Sequence, residues 1–419
     1  MEAILNPTKP DSEHDATLHN GDKGQSQIDS GSALQKFLDC IPLSSIPGIL
    51  SSFALELKAG DSVKDAIRML YENDLFGAPI ADVLDAKAPS MEFSYRYIGF
   101  LDFSTMVLWC IEEFENFTQN FENHGLEVKR DNGLLSTLDQ IPKIGDTKVS
   151  KLAKPFVWEP FFPVHLDDTL LHALLILSKH PLRVLPVVQR SDRQVIGLVT
   201  QNALVQLLLE SSGLEWFDNI ADKALSDLKI EAQEHASYVF RDQTVADALH
   251  VLWENRTCAV AVVDRQTKKL VGCVRDIDVY HLVGNDDLFR NRKKLTVGEF
   301  IHSEPDEAEP STGIDNGASV ITRNLHLKRR CVPKMDSPLT NKKRDTLKQL
   351  MKNATERNSR FSFLMNENDQ VIGLITLRDV ILQFAPPCVS SSIDGGGFFQ
   401  MALEQSGCHV EDGTLVRNH

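Results

Sequence analysis

Four stretches of the chain share one pattern of apolar and polar positions. In each stretch apolar residues recur at i, i+3, i+4 and i+7, which is the spacing of an amphipathic helix with one buried face. The apolar stripes cover residues 63–70, 170–177, 245–252 and 347–354. A hydroxyl residue stands directly before each stripe, and the four are Ser62, Thr169, Thr244 and Thr346. Because such side chains cap helix N–H groups, the pattern predicts four helices of one kind.

Two apolar runs follow each predicted helix and indicate β-strands. The second run contains a glycine and leads into another apolar helix, and the glycines are Gly99, Gly197, Gly272 and Gly373. The distance from hydroxyl to glycine is nearly constant in the last three copies, whereas the first carries an insertion around residues 82–97. Such elements occur in any α/β protein, but four ordered copies at this spacing favour an internal repeat. The predicted fold is α/β (α+β), built from four strand–helix–strand–strand–helix units.

The four units are too small to stand alone. A unit of about 60 residues leaves much apolar surface uncovered, so we expect the units to pair. The predicted pairs, residues 35–212 and 213–386, form a pseudo-symmetric disc. The units themselves are residues 35–113, 147–212, 213–287 and 295–386, the last with an acidic insertion at 303–316 after a leading helix at 295–301. Residues 1–34 and 387–419 lack hydrophobic periodicity, and we expect them to be flexible.

Charge and cysteine content narrow the function. The formal net charge of −15 argues against nucleic-acid binding, because that binding depends on a large positive field. The seven cysteines are scattered, without a zinc-binding or disulfide pattern. No stretch is apolar enough to span a membrane, and the polar first residues are unlike a secretory signal. We therefore expect a cytoplasmic or nuclear protein with no membrane, nucleic-acid or metal partner.

The junction between strand and second helix in the fourth unit carries a family motif. Gly373, Thr376 and Asp379 match G-x-x-[ST]-x-x-[DN], so the unit resembles a CBS domain. Two such repeats form a pair called a Bateman module, and the resemblance implies that AMP, ADP or ATP binds between them. Asp379 would accept hydrogen bonds from the ribose hydroxyls, and Thr376 with helix N–H groups would meet phosphate. The alternative is that Asp379 only complements the helix dipole.

The other three units depart from this motif. The third keeps the acid, Asp278, but has Arg275 in the hydroxyl position. The second keeps the hydroxyl, Thr200, but lacks the acid, and the first has Asp102 and Thr105 in the two positions. The resemblance therefore makes Asp278 a second, weaker candidate for a ribose contact.

Four CBS repeats in one chain, with a lead-in at residues 38–45, resemble the gamma subunit of AMP-activated and sucrose-non-fermenting-related kinases, particularly its plant gamma-like branch. The resemblance implies a non-catalytic regulatory subunit that joins a Ser/Thr kinase catalytic alpha subunit and a beta scaffold subunit. The sequence has no P-loop, H-E-x-x-H or G-x-S-x-G motif that would favour an enzyme. Two alternatives remain open. One is a free-standing sensor of an adenosyl ligand that regulates a different enzyme or transporter, and the other is a scaffold with degenerate pockets.

The resemblance also implies cations around the nucleotide phosphates. Apolar residues in the first repeat and Asn202 in the second stand where nucleotide-sensing gamma subunits have Arg, His or Lys. Arg183 and Arg360 remain, and Arg275 would reach inward beside them. This shortage of cations predicts weak affinity, or a preference for adenosine-like groups over polyphosphates.

Overall fold

The computed structural model describes most of the chain between residues 30 and 385. The described residues are 30–46, 49, 55–81, 97–122, 133–152, 159–191, 194–228, 230, 236–303, 334–385, 408–411 and 414–417. Four predicted features lie outside them in whole or in part, namely the flexible start up to residue 29, the first-repeat insertion at 82–96, the acidic insertion from residue 304 and the flexible tail at 387–407. Within the described ranges, no helix is both long enough and apolar enough to cross a membrane.

Each repeat contains the predicted series of elements. Repeat one comprises Leu57–Lys58, Val63–Glu72, Gly77–Ala81, Tyr97–Asp102 and the long helix Phe103–Glu122. Repeat two comprises Leu170–Lys179, Val184–Val188, Val195–Thr200 and Gln201–Leu209. Repeat three comprises Tyr238–Phe240, Val245–Glu254, Ala259–Val263, Leu270–Arg275, a 3-10 turn Asp276–Asp278 and Val279–Gly284. Repeat four comprises Thr340–Lys342, Leu347–Glu356, Phe361–Met365, Val371–Thr376 and Leu377–Phe384.

Further elements connect and flank the repeats. The helices are Ser30–Asp39, Leu134–Gln140, Pro142–Gly145, Val149–Leu152, Glu215–Ala221, Asp286–Asn291 and Val297–Phe300. The 3-10 turns are Leu43–Ser45 and Leu225–Asp227, and the strands are Glu159–Pro160, Cys408–Glu411 and Thr414–Arg417. The chain is thus helical already from Ser30, inside the segment expected to be flexible, and the last two strands pair in a region where no fold was predicted.

The sheets confirm that the four units are copies of one fold. In repeats one, three and four, a short first strand runs parallel to the second, and the third runs antiparallel to the second. In repeat two the first strand is reduced to one bridge, between Val164 and Val187. Every second strand also changes register at the same place, and these irregularities lie at Ile80/Ala81, Val187/Val188, Val262/Val263 and Leu364/Met365. The predicted mixed α/β repeat is confirmed.

The hydroxyl residues cap the first helix of every repeat as predicted. Ser62, Thr169, Thr244 and Thr346 each accept a hydrogen bond from the backbone N–H three residues later. The buried residues on these helices are the predicted stripe positions, for example Leu347, Leu350, Met351 and Ala354 in repeat four. Local chemistry alone therefore accounts for where these helices begin and which face they bury.

Each segment that leads into a repeat packs on the other repeat of the same pair, and not on the repeat that it leads into. Antiparallel bridges hold the start of each first helix, and they join Pro42 to Thr169, Ser62 to Lys148, Ala224 to Thr346 and Thr244 to Thr296. The lead-in at 38–45 therefore packs on repeat two rather than repeat one, and the leading helix of repeat four packs on repeat three. Similarly, residues 147–152, which lead into repeat two, are bridged to repeat one through Lys148 and Ser62. Within each pair, the two repeats thus exchange the segments that lead into them.

The exchange has a packing reason. Leu38 and Leu43 of the lead-in are fully covered in the same core as Leu170 and Leu174 of repeat two. The backbone of Leu43 also donates to the Asp168 carbonyl, which binds the lead-in to the capped helix end. The lead-in therefore covers part of the apolar face of repeat two.

Sheet faces join the repeats within each pair. Between repeats three and four, Ala261 and Cys273 pack against Phe363 in a small separate core. Between repeats one and two, the Tyr97 hydroxyl accepts a hydrogen bond from the Val195 backbone at 3.5 Å. The predicted pairing of one with two and three with four is therefore present in the sheet contacts.

Helix faces join the two pairs. One core contains the helices of repeats one and three, with residues such as Val63 and Leu249. The other contains the helices of repeats two and four, with residues such as Leu204 and Phe384. Each repeat consequently contacts one neighbour through its sheet and another through its helices. The four repeats close into the expected pseudo-symmetric disc of two Bateman modules.

The exchanged lead-in generates a stability prediction. Leu43 is fully buried, so Leu43→Ala should lower the free energy of unfolding by about 2–5 kcal/mol, as large-to-small core substitutions do. Urea unfolding measures the loss, and the exposed Cys40→Ala change is the control. Hydrogen exchange should speed up in helix Leu170–Lys179. If it instead speeds up first in helix Val63–Glu72, the exchange of segments is wrong.

A histidine between the pairs generates a pH prediction. His250 of repeat three lies 3.1 Å from Glu112 of repeat one, and this hydrogen bond raises the pKa of His250. A histidine whose pKa is raised by folding stabilises the fold at pH values below its ordinary pKa near 6.5. This contribution is lost as the pH rises through the raised pKa. Because His250 is more than half exposed, the contribution should stay below about 1 kcal/mol.

The corresponding measurement is urea unfolding as a function of pH. The free energy of unfolding contributed by this pair in the wild type should fall between about pH 6 and pH 8.5. His250→Gln, Glu112→Gln and the double variant should each lose this pH-dependent contribution to the same extent. Additive losses in the double variant would show that the two side chains act independently.

Candidate functional site

A cavity of about 600 Å³ opens where the repeats meet. Most of its wall comes from repeats three and four, between their facing sheets, and the rest from repeat two with Phe76 of repeat one. Its polar residues stand at the ends of strands and the starts of helices, because the third strand of every repeat leads directly into the second helix. The repeat topology therefore brings distant parts of the sequence to one place.

Six of the seven predicted site residues line this one cavity. They are Arg183, Thr200, Arg275, Arg360, Thr376 and Asp379. Asp278 is the exception, because it does not belong to the wall. The convergence is notable for Arg183 and Thr200, which come from the first pair while the other four come from the second.

Asp379 and Thr376 form the start of the second helix of repeat four. One oxygen of Asp379, Oδ2, accepts hydrogen bonds from the Thr376 backbone N–H and from its hydroxyl, each at 2.7 Å. In return, Thr376 Oγ1 accepts from the Asp379 backbone N–H at 3.3 Å. This reciprocal capping box holds the carboxylate rigidly at the cavity wall. The helix-capping interpretation of Asp379 and its placement in a site therefore hold together.

Asp278 has a different environment from Asp379, and its contact with a ribose stays a prediction. Arg275, which replaces the hydroxyl residue of the motif, donates from Nη2 to Asp278 Oδ1 at 2.6 Å and from Nε to both carboxylate oxygens at 2.9 and 3.1 Å. Both side chains are buried. The arginine thus neutralises the acid and uses its oxygens, so the third repeat has an internal ion pair at the place equivalent to Asp379.

An ion-pair network at the centre of the disc uses one residue from each repeat. Buried Asp276 of repeat three contacts Arg183 of repeat two at 3.0 Å and Arg360 of repeat four at 2.5 Å. Arg183 also lies 3.4 Å from Asp102 of repeat one. We call these four residues the central network. Asp102 additionally caps its own helix by accepting from the Thr105 backbone at 2.9 Å, so acid and hydroxyl have exchanged places in the first repeat.

The sequence analysis missed Asp276 and the use of Asp102, although signals were present. Arg183 and Arg360 each stand directly before the second strand of their repeats, so they occupy equivalent places. Asp102 and Asp276 stand at the junction of third strand and second helix. Two arginines and two acids at equivalent positions of different repeats indicate ion pairs between the repeats. This interpretation requires the assumption that the repeats face one centre.

Two further arginines of the wall were not predicted. Arg378 lies inside the motif of repeat four, and its Nη2 donates to the Ser178 carbonyl at 3.1 Å. Arg256 follows the first helix of repeat three with a left-handed φ of 51°, and its guanidinium lies 4.0 Å from the centre of the Trp253 ring. The motif position of Arg378 could have signalled it, whereas nothing in the sequence pattern marks Arg256.

The remaining wall between the two sheets is mainly apolar. Leu339, Phe361 and Leu374 of repeat four face Ile277 and Cys258 of repeat three. Burial raises the pKa of the Cys258 thiol to about 11, so it stays protonated at neutral pH and is a poor nucleophile. A flat apolar group between the sheets, with polar atoms directed toward Asp379 and the arginines, suits the chemistry of this wall.

Comparison with known proteins adds family information. The CBS domain family model matches residues 153–210. The SNF1-related protein kinase regulatory subunit gamma-1 of Arabidopsis thaliana is 24% identical over 86% of this chain and 85% of its own length. The gamma-1-like subunit of the same plant is 24% identical over 87% and 91%.

A solved structure supports the fold. Protein MJ1225 from Methanocaldococcus jannaschii, described as a candidate archaeal homologue of g-AMPK, matches with a TM-score of 0.50 and 15% identity. The match covers 80% of this chain and 97% of that protein. Both plant relatives are named as regulatory subunits. The chain accordingly matches the CBS domain family over residues 153–210, and over most of its length it is similar to the regulatory gamma subunits of SNF1-related kinases.

Proposed function

We propose that the chain is a non-catalytic, gamma-like subunit of a heterotrimeric Ser/Thr protein kinase and that its cavity binds an adenine nucleotide. The catalytic alpha subunit and the beta scaffold subunit of the complex are its proposed partners, in the cytoplasm or nucleus. Similarity to the two plant subunits extends over most of both chains, which supports this assignment.

One observation carries the ligand part of the proposal. Asp379 is fixed by its capping box at the wall of a cavity that also has an apolar slot between two sheets. A carboxylate accepts from both ribose hydroxyls, while the slot covers the two faces of an adenine ring. Thr200, Thr376, Arg183, Arg275 and Arg360 would complete the site around the sugar and phosphate.

The position of the cavity suggests how binding would regulate. Its wall contains residues of both pairs, such as Arg183 from the first and Arg360 from the second. A ligand that contacts both pairs binds most tightly to one relative arrangement of them, and it therefore shifts the population toward that arrangement. A partner that rests on the disc would respond to this shift.

The alternative is a free-standing CBS protein that senses an adenosyl ligand and regulates a different enzyme or transporter. Nothing in the cavity distinguishes the two functions, because both use the same ligand chemistry. The identity of the bound partner distinguishes them directly.

The proposed ribose contact predicts the effect of Asp379→Asn. The amide still accepts from Thr376 and so retains the helix cap, but it loses the charge. A hydrogen bond to a charged group contributes roughly 1.5–3 kcal/mol, about twice as much as a bond between neutral groups. AMP affinity measured by calorimetry should fall about tenfold or more. Asp247→Asn is the matched control, since Asp247 forms the same capping box with Thr244 outside the cavity. Equal affinities for wild type and Asp379→Asn would remove Asp379 from the site.

The partner assignment predicts complex formation. When the chain is co-expressed with catalytic and beta subunits of an SNF1-related kinase, the three chains should elute together in size-exclusion chromatography at micromolar concentration. The Arabidopsis gamma-1 relative provides the positive control. If the control assembles and this chain elutes alone with every combination of isoforms, the free-standing regulator replaces the kinase subunit.

A further inference from the structure

The disc has two equivalent sides, and a long helix covers only one of them in the described part of the chain. On the first side, which repeats one and three form, the second helix of repeat one spans Phe103–Glu122. On the second side, which repeats two and four form, the second helix of repeat two spans only Gln201–Leu209. Gly213, with a left-handed φ of 98°, lies in the turn that follows, so this helix ends where its counterpart continues.

The long helix covers the segments that lead into repeats two and four. Its Phe114 lies 6.1 Å from Phe289, measured between ring centres, and Phe289 belongs to the helix before repeat four. Its Phe117 ring centre lies 6.0 Å from the ammonium of Lys143, in the segment before repeat two. Phe114 and Phe117 are three residues apart and therefore share one face of the helix. Under this cover only 2% of Phe289 is exposed.

The equivalent segments on the second side meet each other but are partly exposed. Phe37, in the helix that leads into repeat one, lies 5.2 Å between ring centres from Trp216, in the helix that leads into repeat three. Phe37 is 37% exposed, and Leu214, which directly precedes the second of these helices, is 41% exposed. Among the described residues, only Tyr238 is a further large apolar side chain with such exposure. We call Phe37, Leu214 and Trp216 the open patch.

The charges on the two sides are opposite in sign. On the first side, Arg292 and Lys293 form ion pairs with Glu115 of the long helix. Next to the open patch in sequence, Lys36 is exposed, but the other exposed charges are acids, namely Asp39, Glu210 and Glu215. A helix that covers the open patch is therefore favoured by Lys or Arg where the long helix has Glu115.

We propose that the open patch docks a basic amphipathic helix of a partner chain, as the long helix of repeat one covers the first side. Two large apolar side chains of the partner helix, at i and i+3, would contact Phe37 and Leu214, and its Lys or Arg residues would face the acids. The ends of the chain itself lack this chemistry. Residues 387–407 contain no Lys or Arg, and residues 1–29 contain more acids than bases. The proposal goes beyond the nucleotide function and does not depend on it.

Fluorescence anisotropy with the full chain and synthetic helical peptides tests the proposal. The probe is a labelled peptide of about 15 residues, roughly four turns, with two Phe residues at i and i+3 and with Lys beside them. It should bind about tenfold or more tightly than a matched peptide with Glu in place of Lys, and also than one with Ser in place of Phe.

Variants of the chain locate the binding. Phe37→Ser combined with Leu214→Ser should weaken binding of the basic peptide about tenfold or more. Tyr238→Ser is the matched control, because Tyr238 is a 55% exposed aromatic residue outside the open patch. If thermal unfolding shows that the double variant does not fold, Glu215→Lys replaces it. This variant leaves the apolar side chains in place and should reduce the preference for the basic over the acidic peptide.

Several results would overturn the proposal. Equal binding of the basic peptide to the wild type and the folded double variant would exclude the open patch, and equal binding of the basic and acidic peptides would exclude the charge preference. A dimer in sedimentation velocity that the double variant abolishes would make a second copy the occupant. If the basic peptide binds only after Lys328, Arg329 and Arg330 are replaced by Ser, a basic segment of the chain itself is the occupant. Each of these results leaves the nucleotide function intact.

Discussion

The structure depends on one constraint: each CBS repeat has two apolar faces and cannot cover either of them alone. In repeat four, Phe363 on the sheet face and Phe384 on the helix face are both fully buried, but by different neighbours. Full burial of such a side chain contributes about 1.5–3 kcal/mol, so leaving either face in water would remove much of a domain's net stability. Covering both faces of four similar units requires a closed ring. The exchanged lead-in segments add a second connection within each pair.

The ring then determines what lies at its centre. In every repeat the third strand meets the second helix at an inner junction, so capping residues of four repeats converge there. Capping groups are polar by necessity, and at a shared centre they are removed from water together. Buried charges are retained only when paired, which accounts for the alternating acids and arginines of the central network. The cavity is the part of this polar centre that opens between two sheets.

The sequence predicted the features that depend on local chemistry. Helix starts at Ser62 or Thr346, buried stripes and glycine-containing strands follow from neighbouring residues, and all are present. The contact between the lead-in and Thr169 could not be predicted, since the repeats are similar and either could have accepted it. Similarly, the role of Asp276 requires the relative positions of three repeats. Six of the predicted site residues line one cavity, whereas Asp278 pairs with the adjacent Arg275, a local partner whose geometry the motif does not describe.

We propose that the cavity between repeats three and four is the ligand site of this chain. The most direct measurement is a crystal structure of the full chain grown with AMP. We expect electron density for adenine between Leu339 and Ile277, with the ribose hydroxyls on Asp379. Density at Asp278 or between repeats one and two, with this cavity empty, would contradict it.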